Sequence, residues 1–172
     1  MPILPYRAAM PRIAADAFIA ATAVVAGDVW IGPGSSLWFG VVVRGDVNVV
    51  RIGARTNIQD GSVIHVSRRG QGTHIGDEVT VGHMALLHDC TLEDRCFVGM
   101  QACVMDGAVV ESGAMVAAGA LVTPGKRVPS GELWAGRPAR LLRPVTEAEM
   151  EEIAASAARY AVLAAEYRSR EG

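Results

Sequence analysis

An aliphatic side chain returns every six residues through most of this sequence. The series has an excess of three residues after Val43, a longer interruption at residues 67–73 and one omitted residue before Leu92. Its seventeen members are Ile19, Val25, Ile31, Leu37, Val43, Ile52, Ile58, Ile64, Ile75, Val81, Leu87, Leu92, Val98, Val104, Val110, Val116 and Val122. A small or β-branched residue precedes each member by two positions. Because residues i and i−2 point to the same face of a strand, each unit supplies one large and one small inward side chain.

A period of six residues is typical of parallel β-helices. Three units form one triangular coil, and stacked coils bury a column of Ile, Leu and Val side chains. A run of β-hairpins is the alternative, but hairpin turns do not recur at a fixed interval of six. We therefore predict an all-β solenoid whose coils occupy residues 16–134, preceded by an irregular lead-in at residues 1–15.

The end of the chain departs from the hexapeptide pattern. Residues 135–145 contain the run GRPAR and are predicted as a connector, in which Pro144 is expected to stop any strand. Thr146 and Glu149 match a capping box, and apolar residues then recur at helical spacing. We predict a C-terminal α-helix at residues 146–170 that packs along one side of the prism.

Composition narrows the range of functions. The formal net charge of −2 gives no basic surface for nucleic acid. No apolar run approaches the length of a membrane span, and residues 1–13 contain three prolines and no signal-type apolar core. We therefore expect a cytoplasmic protein with neither nucleic-acid nor membrane partners.

Two histidines are predicted to stack on one side of the prism. Ile64 and Leu87 are three units apart, so they share a side, and His65 and His88 follow them directly. Adjacent coils lie about 4.8 Å apart. The two imidazoles are therefore close enough to bind one ion.

A third histidine belongs to the preceding side. His83 follows Val81 by two residues, and its ring should face away from the first pair. His83 of another subunit completes a tetrahedral ion more easily, which predicts a metal site at an interface between three prisms. Inert surface histidines are the alternative. His74, in the interruption, is expected to be solvated.

Ordered motifs along the chain resemble the γ-class carbonic anhydrase family. They are RGDVN at 44–48, NIQDGSVIH at 57–65, VGH at 81–83 and LH at 87–88. The resemblance covers nearly the whole chain. It implies a left-handed parallel β-helix and a homotrimer with Zn²⁺, or another divalent ion such as Fe²⁺ or Co²⁺, between subunits. It also implies His65 and His88 of one chain and His83 of the next as ligands.

The same resemblance implies roles for polar residues near the histidines. Arg44 and Asp60 resemble an inter-subunit ion pair, and Gln59 would position the metal-bound water or bicarbonate. Asp46 and Asn57 belong to the surrounding polar shell. Trimer stability alone is the alternative role for Arg44, Asp46 and Asp60.

Tyr160 lies on the predicted helix, where two roles remain open. Its hydroxyl could reach the site as a polar partner, or its ring could serve only in packing.

The activity that the resemblance implies is reversible hydration of CO₂ to bicarbonate. Three neutral imidazoles leave the charge of the ion intact, which lowers the pKa of bound water to about 7. Well-known active members of the family carry glutamates that shuttle protons. Here Val47 follows Asp46, and residues 67–72 include no carboxylate, so hydration is expected to be weak.

Three alternatives stay open. The same metal centre could hydrolyse thioesters. A hexapeptide-repeat acyltransferase would share the scaffold and the GRPA ending, although such enzymes generally use one catalytic histidine. A non-catalytic metal-binding or scaffolding protein is the third.

Overall fold

A computed structural model of the chain describes residues 2–170 as a parallel β-helix of about seven turns followed by one α-helix. The all-β solenoid with a C-terminal helix is confirmed. Within the described residues, no helix is both long and apolar enough to cross a membrane. The strands are β1 (Ile3–Leu4), β2 (Arg12–Ile13), β3 (Phe18–Ile19), β4 (Val24–Ile31), β5 (Ser36–Leu37), β6 (Val42–Ile52), β7 (Asn57–Ile58), β8 (Val63–His65), β9 (Thr73–Ile75), β10 (Thr80–Val81), β11 (Leu86–His88), β12 (Thr91–Leu92), β13 (Phe97–Val98), β14 (Cys103–Val104), β15 (Val109–Val110), β16 (Met115–Val116), β17 (Leu121–Val122), β18 (Arg127–Val128), β19 (Glu132–Ala135) and β20 (Arg140–Pro144).

The strands form three faces of a prism, each built by parallel pairing between successive coils. The first face runs through β1, β4, β6, β8, β11, β14 and β17, and the second through β2, β4, β6, β9, β12, β15 and β18. The third runs through β3, β5, β7, β10, β13, β16 and β19. The long strands β4 and β6 pair within both of the first two faces.

The core is the column of aliphatic side chains that the period predicts. Val43, Ile64, Leu87 and Val104 of the first face are fully buried, in register with one another. Burying each such side chain contributes about 1.5–3 kcal/mol relative to exposure. The inward residues therefore hold neighbouring coils together and fix which residues of the outer surface stack.

A bulge in β6 accommodates the three-residue excess after Val43. Gly27 pairs with Gly45 and Val29 with Val50, so residues 46–49 lie opposite a single residue of β4. The backbones approach closely here, since a Cβ at Gly27 would lie 2.2 Å from the carbonyl oxygen of Gly45. The bulge displaces Asp46 from the regular ladder and brings it beside the first face.

The C-terminal helix α1 (Glu147–Arg170) begins with the predicted capping box. The Thr146 amide donates to Oε2 of Glu149 at 2.9 Å, and the Glu149 amide donates to Oγ1 of Thr146 at 3.3 Å. The helix packs against β3, β5, β7 and β10, which places it over the third face. Phe18, Ala20 and Trp38 of the β-helix form a second small core with Ala164 of the helix.

Two segments are more regular than the sequence indicated. The predicted lead-in at residues 1–15 contains β1 and β2, which pair in parallel with β4 and add rungs to the prism. The predicted connector at residues 135–145 contains β20, which pairs antiparallel with β19. Pro144 does not prevent this strand, because it is its last residue at an edge, where a missing amide proton costs little.

Candidate metal centre

His65 and His88 lie side by side on the first face. Strands β8 and β11 pair in parallel with His65 opposite His88, since Ile64 and Leu87 anchor both strands in the core. Nδ1 of His65 is 3.2 Å from Nε2 of His88. The side chains are 20% and 27% exposed, so the pair is reached from the prism surface.

A carboxylate lies against the remaining nitrogen of each ring. Nε2 of His65 is 3.1 Å from Oδ1 of Asp46, and Nδ1 of His88 is 2.6 Å from Oδ1 of Asp106. Burial alone would raise the pKa of Asp46, but hydrogen bonds from Arg44 and His65 outweigh it and hold the pKa below its usual value. A hydrogen bond from Ser67, with the contact to His88, likewise lowers the pKa of Asp106.

This arrangement fits a metal ion. Ionised carboxylates only accept hydrogen bonds, so the ring protons lie on Nε2 of His65 and Nδ1 of His88. The two nitrogens that face each other then both carry lone pairs. Two nitrogens that each lie 2.0–2.1 Å from a tetrahedral ion are about 3.3–3.4 Å apart, close to the observed 3.2 Å. Histidine ligands backed by carboxylates are a recurrent feature of metal sites.

His83 lies at the corner between the third and first faces. Its Nδ1 is 2.9 Å from Oδ2 of Asp60, in the preceding coil. The corner residues stack because the amide of Met84 donates to the carbonyl of Asp60 and the amide of Gln101 to the carbonyl of His83. Within residues 2–170 of one chain, no three His, Cys, Asp or Glu side chains are arranged to hold an ion. One chain thus brings together two of the predicted ligands.

Arg44 contacts Asp46 within the chain. The expected pair between Arg44 and Asp60 is not formed inside one subunit, where Asp60 contacts His83 instead. Arg44 is 48% exposed, so its guanidinium is accessible to a neighbouring molecule. The pairing of Arg44 with Asp60 across an interface stays a prediction.

Gln59 and Asn57 are buried on the side of the prism that the C-terminal helix covers. Nε2 of Gln59 donates to Oδ1 of Asn57 at 3.1 Å, and Nδ2 of Asn57 donates to Oγ1 of Thr80 at 2.8 Å. Thr80 in turn donates to Ser156 on α1 at 3.3 Å. Asn57 is therefore part of a hydrogen-bond chain that links Gln59 to Ser156 on α1.

Tyr160 packs rather than reaching the histidine pair. Its ring meets Trp38 edge to face with centroids 5.5 Å apart. Burial, with the negative charge of Asp60, raises the pKa of its phenol. These contacts give the ring a packing role, and a polar role for its hydroxyl stays a prediction.

The sequence reasoning missed Asp106 and the residues that hold the loop at 67–72. Asp106 follows His88 by eighteen residues, which is three hexapeptide units, so the same coil counting could have found it. Asp89 is almost fully buried, and its Oδ1 accepts the amides of Ser67 and Gly72 at 3.3 and 3.0 Å. Asn48 donates to the carbonyls of Ser67 and Gly70. The six-residue period does not predict such contacts, because the loop lies outside the repeat.

His74 lies apart from the centre, on the second face. Its register partners are Arg51 and Thr91, and Nε2 is 3.0 Å from the carbonyl oxygen of Gln71. The ring is half buried rather than fully solvated.

Comparison with known proteins identifies the family. Residues 90–124 match the model of the hexapeptide repeat of succinyl-transferase. The chain is 50% identical to a probable carbonic anhydrase of Methanocaldococcus jannaschii, over 84% of this chain and 91% of the relative. The chain belongs to the γ-class carbonic anhydrase family. Gamma carbonic anhydrase 1, mitochondrial, of Arabidopsis thaliana is 53% identical over 90% of this chain, which spans 58% of the length of that relative.

A solved structure shares the fold of this γ-class family member nearly throughout. It is a hexapeptide transferase family protein from Anaplasma phagocytophilum, with a TM-score of 0.93 and 49% identity over 96% of this chain and 98% of that one.

Proposed function

We propose that the protein catalyses reversible hydration of CO₂ to bicarbonate at a centre of three histidines. The pair of His65 and His88, each backed by a carboxylate, carries this proposal. Zn²⁺ is the expected ion, with Fe²⁺ or Co²⁺ as alternatives. The relatives named carbonic anhydrase support the reaction class.

Each residue of the chain has a distinct task in this reaction. Nδ1 of His65 and Nε2 of His88 would hold the ion, which supplies a Lewis acid that brings the pKa of water near 7 when bound. Asp46 and Asp106 accept hydrogen bonds from the ring N–H groups of His65 and His88. Because Nε2 of Gln59 donates to Asn57, the carbonyl oxygen of Gln59 is the group left to accept a hydrogen bond from water or bicarbonate.

We propose a homotrimer in which His83 of one subunit completes the pair of the next. Nδ1 of His83 is occupied by Asp60, which leaves Nε2 as the nitrogen for a neighbour's site. Large apolar side chains surround the histidines on the outer surface: Val63, Met84, Leu86 and Met100 are each more than a third exposed. Burial of this group between subunits would stabilise such a trimer.

A slow reaction is part of the proposal. Asp46 and Asp106 are engaged by the histidine rings, Val47 is partly buried against the core and residues 67–72 offer no carboxylate, so the centre lacks the glutamates that shuttle protons in the family. General acid–base groups typically contribute about 10²–10⁴-fold. The predicted cytoplasmic location stays a prediction.

Acyl transfer is a second candidate, because the similar Anaplasma protein is called a hexapeptide transferase family protein. One catalytic histidine would suffice for that chemistry, and it would leave the carboxylate-backed pair without a role. Thioester hydrolysis would instead use the same ion.

Metal content and substrate assays separate these functions. Protein purified without chelator is expected to hold about one ion per subunit and to hydrate CO₂ in a stopped-flow assay. Metal-free protein that transfers an acyl group from a thioester would favour the transferase. A metal-bound protein that cleaves thioesters and leaves CO₂ unchanged would favour the hydrolase.

A further inference from the structure

We propose that Asp106 is a positioning residue for His88. Its carboxylate fixes the tautomer and the orientation in which Nε2 of His88 presents a lone pair to an ion. The inference rests on the proposed metal centre and extends it, because Asp106 lies outside the residues that the family motifs imply.

The two carboxylates of the centre are not equivalent. Asp46 divides its negative charge between Arg44 and His65, and its oxygen is 3.1 Å from the ring. Asp106 is 2.6 Å from His88, and within residues 2–170 it forms no ion pair with an arginine or a lysine. Among the described residues, His88 is therefore the one basic side chain that contacts Asp106, whose other oxygen accepts from a neutral hydroxyl. The shorter contact sets a ring proton more strongly.

Both oxygens of Asp106 have fixed partners. Oδ1 contacts Nδ1 of His88, while Oδ2 accepts a hydrogen bond from the Ser67 hydroxyl. The backbone is also fixed, since the carbonyl of Asp106 accepts the amide of Gly125 at 2.9 Å and the next amide, of Gly107, donates to the carbonyl of Asp89 at 2.7 Å. The carboxylate cannot turn away from His88 without breaking one of these contacts.

The competing arrangement is a hydrogen bond between the two rings. If the proton of His88 moved from Nδ1 to Nε2, Nε2 would donate to Nδ1 of His65 across the observed 3.2 Å. That bond would occupy both lone pairs that the ion needs. Asp106 disfavours this state, because an ionised carboxylate facing a bare Nδ1 would oppose two acceptors. We infer that removing Asp106 allows the rings to pair and weakens the metal site.

The experiment measures zinc affinity and tautomer in full-length protein. Zinc dissociation constants come from chelator competition for wild type, Asp106→Ala and Asp106→Asn. Asp77→Ala is the matched control, because Asp77 is also a turn carboxylate with a backbone partner, the amide of Ala54, and touches no histidine. We expect Asp106→Ala to bind zinc about 10–100-fold more weakly. Asp106→Asn, which keeps the shape but not the charge, should lose less, and the control should match wild type.

Nitrogen NMR of the metal-free proteins gives the independent readout. His88 should be protonated on Nδ1 in wild type and shift toward Nε2 in Asp106→Ala. An unchanged tautomer together with unchanged zinc affinity in Asp106→Ala would overturn the inference. Should that variant not fold, Asp106→Asn decides in its place, and zinc affinity equal to wild type would count against Asp106.

Failure of the proposed function gives a different pattern. If the wild-type protein binds zinc but does not hydrate CO₂, the proposed function is wrong. A loss of zinc affinity in Asp106→Ala would still support the role of Asp106. Wild type that binds no zinc removes the metal centre, and the tautomer of metal-free His88 then decides the inference alone.

Discussion

Asp60 and His83 stack in neighbouring coils, with Oδ2 of the carboxylate 2.9 Å from Nδ1 of the ring. The contact commits Nδ1 to Asp60 and leaves Nε2 available at the outer corner of the prism. His83 is 39% exposed, more than either member of the pair on the first face. In the proposed trimer, the exposed imidazole at the corner of one subunit would complement the half-buried pair on the first face of the next.

Mixed subunits should reveal whether the site is shared. His83→Ala and His65→Ala are each expected to abolish zinc binding and activity, because two ligands hold the ion weakly. In co-expressed mixtures at equal amounts, about one quarter of the interfaces would pair an intact His83 with an intact His65. We therefore expect zinc content and CO₂ hydration to return to about one quarter of wild type. No recovery in mixtures shown to contain both variants in one trimer would place all ligands in one chain.

Assembly itself is checked by mass. We expect sedimentation at micromolar concentration to give three times the mass of 18.1 kDa, because the exposed apolar side chains around the pair become buried. A monomer under these conditions would contradict the shared site.

The carboxylate of Asp60 should stabilise the assembly. If Arg44 meets Asp60 across the interface, Asp60→Ala leaves the guanidinium with Asp46 as its one carboxylate partner, so the cost should stay below about 3–5 kcal/mol, the value for a fully buried, unpaired charge. The melting temperature should fall and should depend more steeply on protein concentration. Glu78→Ala is the control, since it removes only an exposed pair with Arg55, worth at most about 1 kcal/mol. Equal behaviour of the two variants would show that Asp60 does not pair across the interface.

Turnover should depend on the buffer. We expect weak CO₂ hydration in dilute buffer and a marked increase with imidazole-type buffers, because Asp46 and Asp106 are engaged by the histidine rings and neither Val47 nor residues 67–72 supply a further carboxylate. Val47→Glu should reduce this dependence if its carboxylate reaches solvent at the site, and it should lower the melting temperature because Val47 packs against the core. Stopped-flow rates at low and high buffer concentration test both. Fast wild-type turnover that ignores the buffer would identify another proton route.

Gly27 is expected to be essential for the bulge that carries Asp46. A Cβ there would lie 2.2 Å from the carbonyl oxygen of Gly45, at a φ of +81°. Gly113 has a similar φ of +68° and no atom within 4 Å of its Cβ position. Gly113→Ala should therefore cost only the strain of the left-handed backbone, about 1–2 kcal/mol, whereas Gly27→Ala should cost more and weaken zinc binding. Thermal melting and zinc titration of both variants check this, and equal losses would contradict the steric account.

The capping box should give α1 a defined acid sensitivity. Hydrogen bonds from Arg143, with those from Thr146, lower the pKa of Glu149 from 4.5 to about 2. Because the pKa of Glu149 is depressed, its ionised carboxylate stabilises the fold at pH values above about 4.5. That stabilisation is lost as the pH falls from about 4.5 to about 2. The stability difference between wild type and Glu149→Gln should therefore shrink over this range. Glu147→Gln, in the same first turn, is the control in melts followed by circular dichroism, and a difference that persists at pH 2 would refute the assignment.

Much of the architecture was predictable because one physical rule repeats. The six-residue period sets which residues point inward, and counting coils predicts His65 beside His88, as the pairing of β8 with β11 shows. The same counting stops short of the first rungs, where Ile13 pairs with Ile31 although the sequence predicted an irregular lead-in. Terminal rungs have a partner on one side only, so their sequences are less constrained.

Side-chain partners were harder to predict than positions. The family resemblance implies a pair of Arg44 with Asp60 between subunits, which stays a prediction, whereas the contacts of Arg44 with Asp46 and of Asp60 with His83 inside one chain were not predicted. The bulge in β6 brings Asp46 within hydrogen-bond distance of His65. The course of the bulged backbone depends on the close approach of Gly27 and Gly45, which no periodic pattern predicts. Asp106 lies eighteen residues beyond His88, outside the segment that contains the histidines and the family motifs.

The histidine pair occupies the fourth and fifth of seven rungs on the first face, so at least two complete rungs cover it on either side. In a stacked repeat each coil contacts only its neighbours. Coils could therefore be gained or lost at either end of the prism during evolution while the chemistry stayed unchanged. The number of coils and the histidine centre can therefore evolve independently. Added coils, or partners bound at either end of the β-helix, would leave the residues of the centre in place.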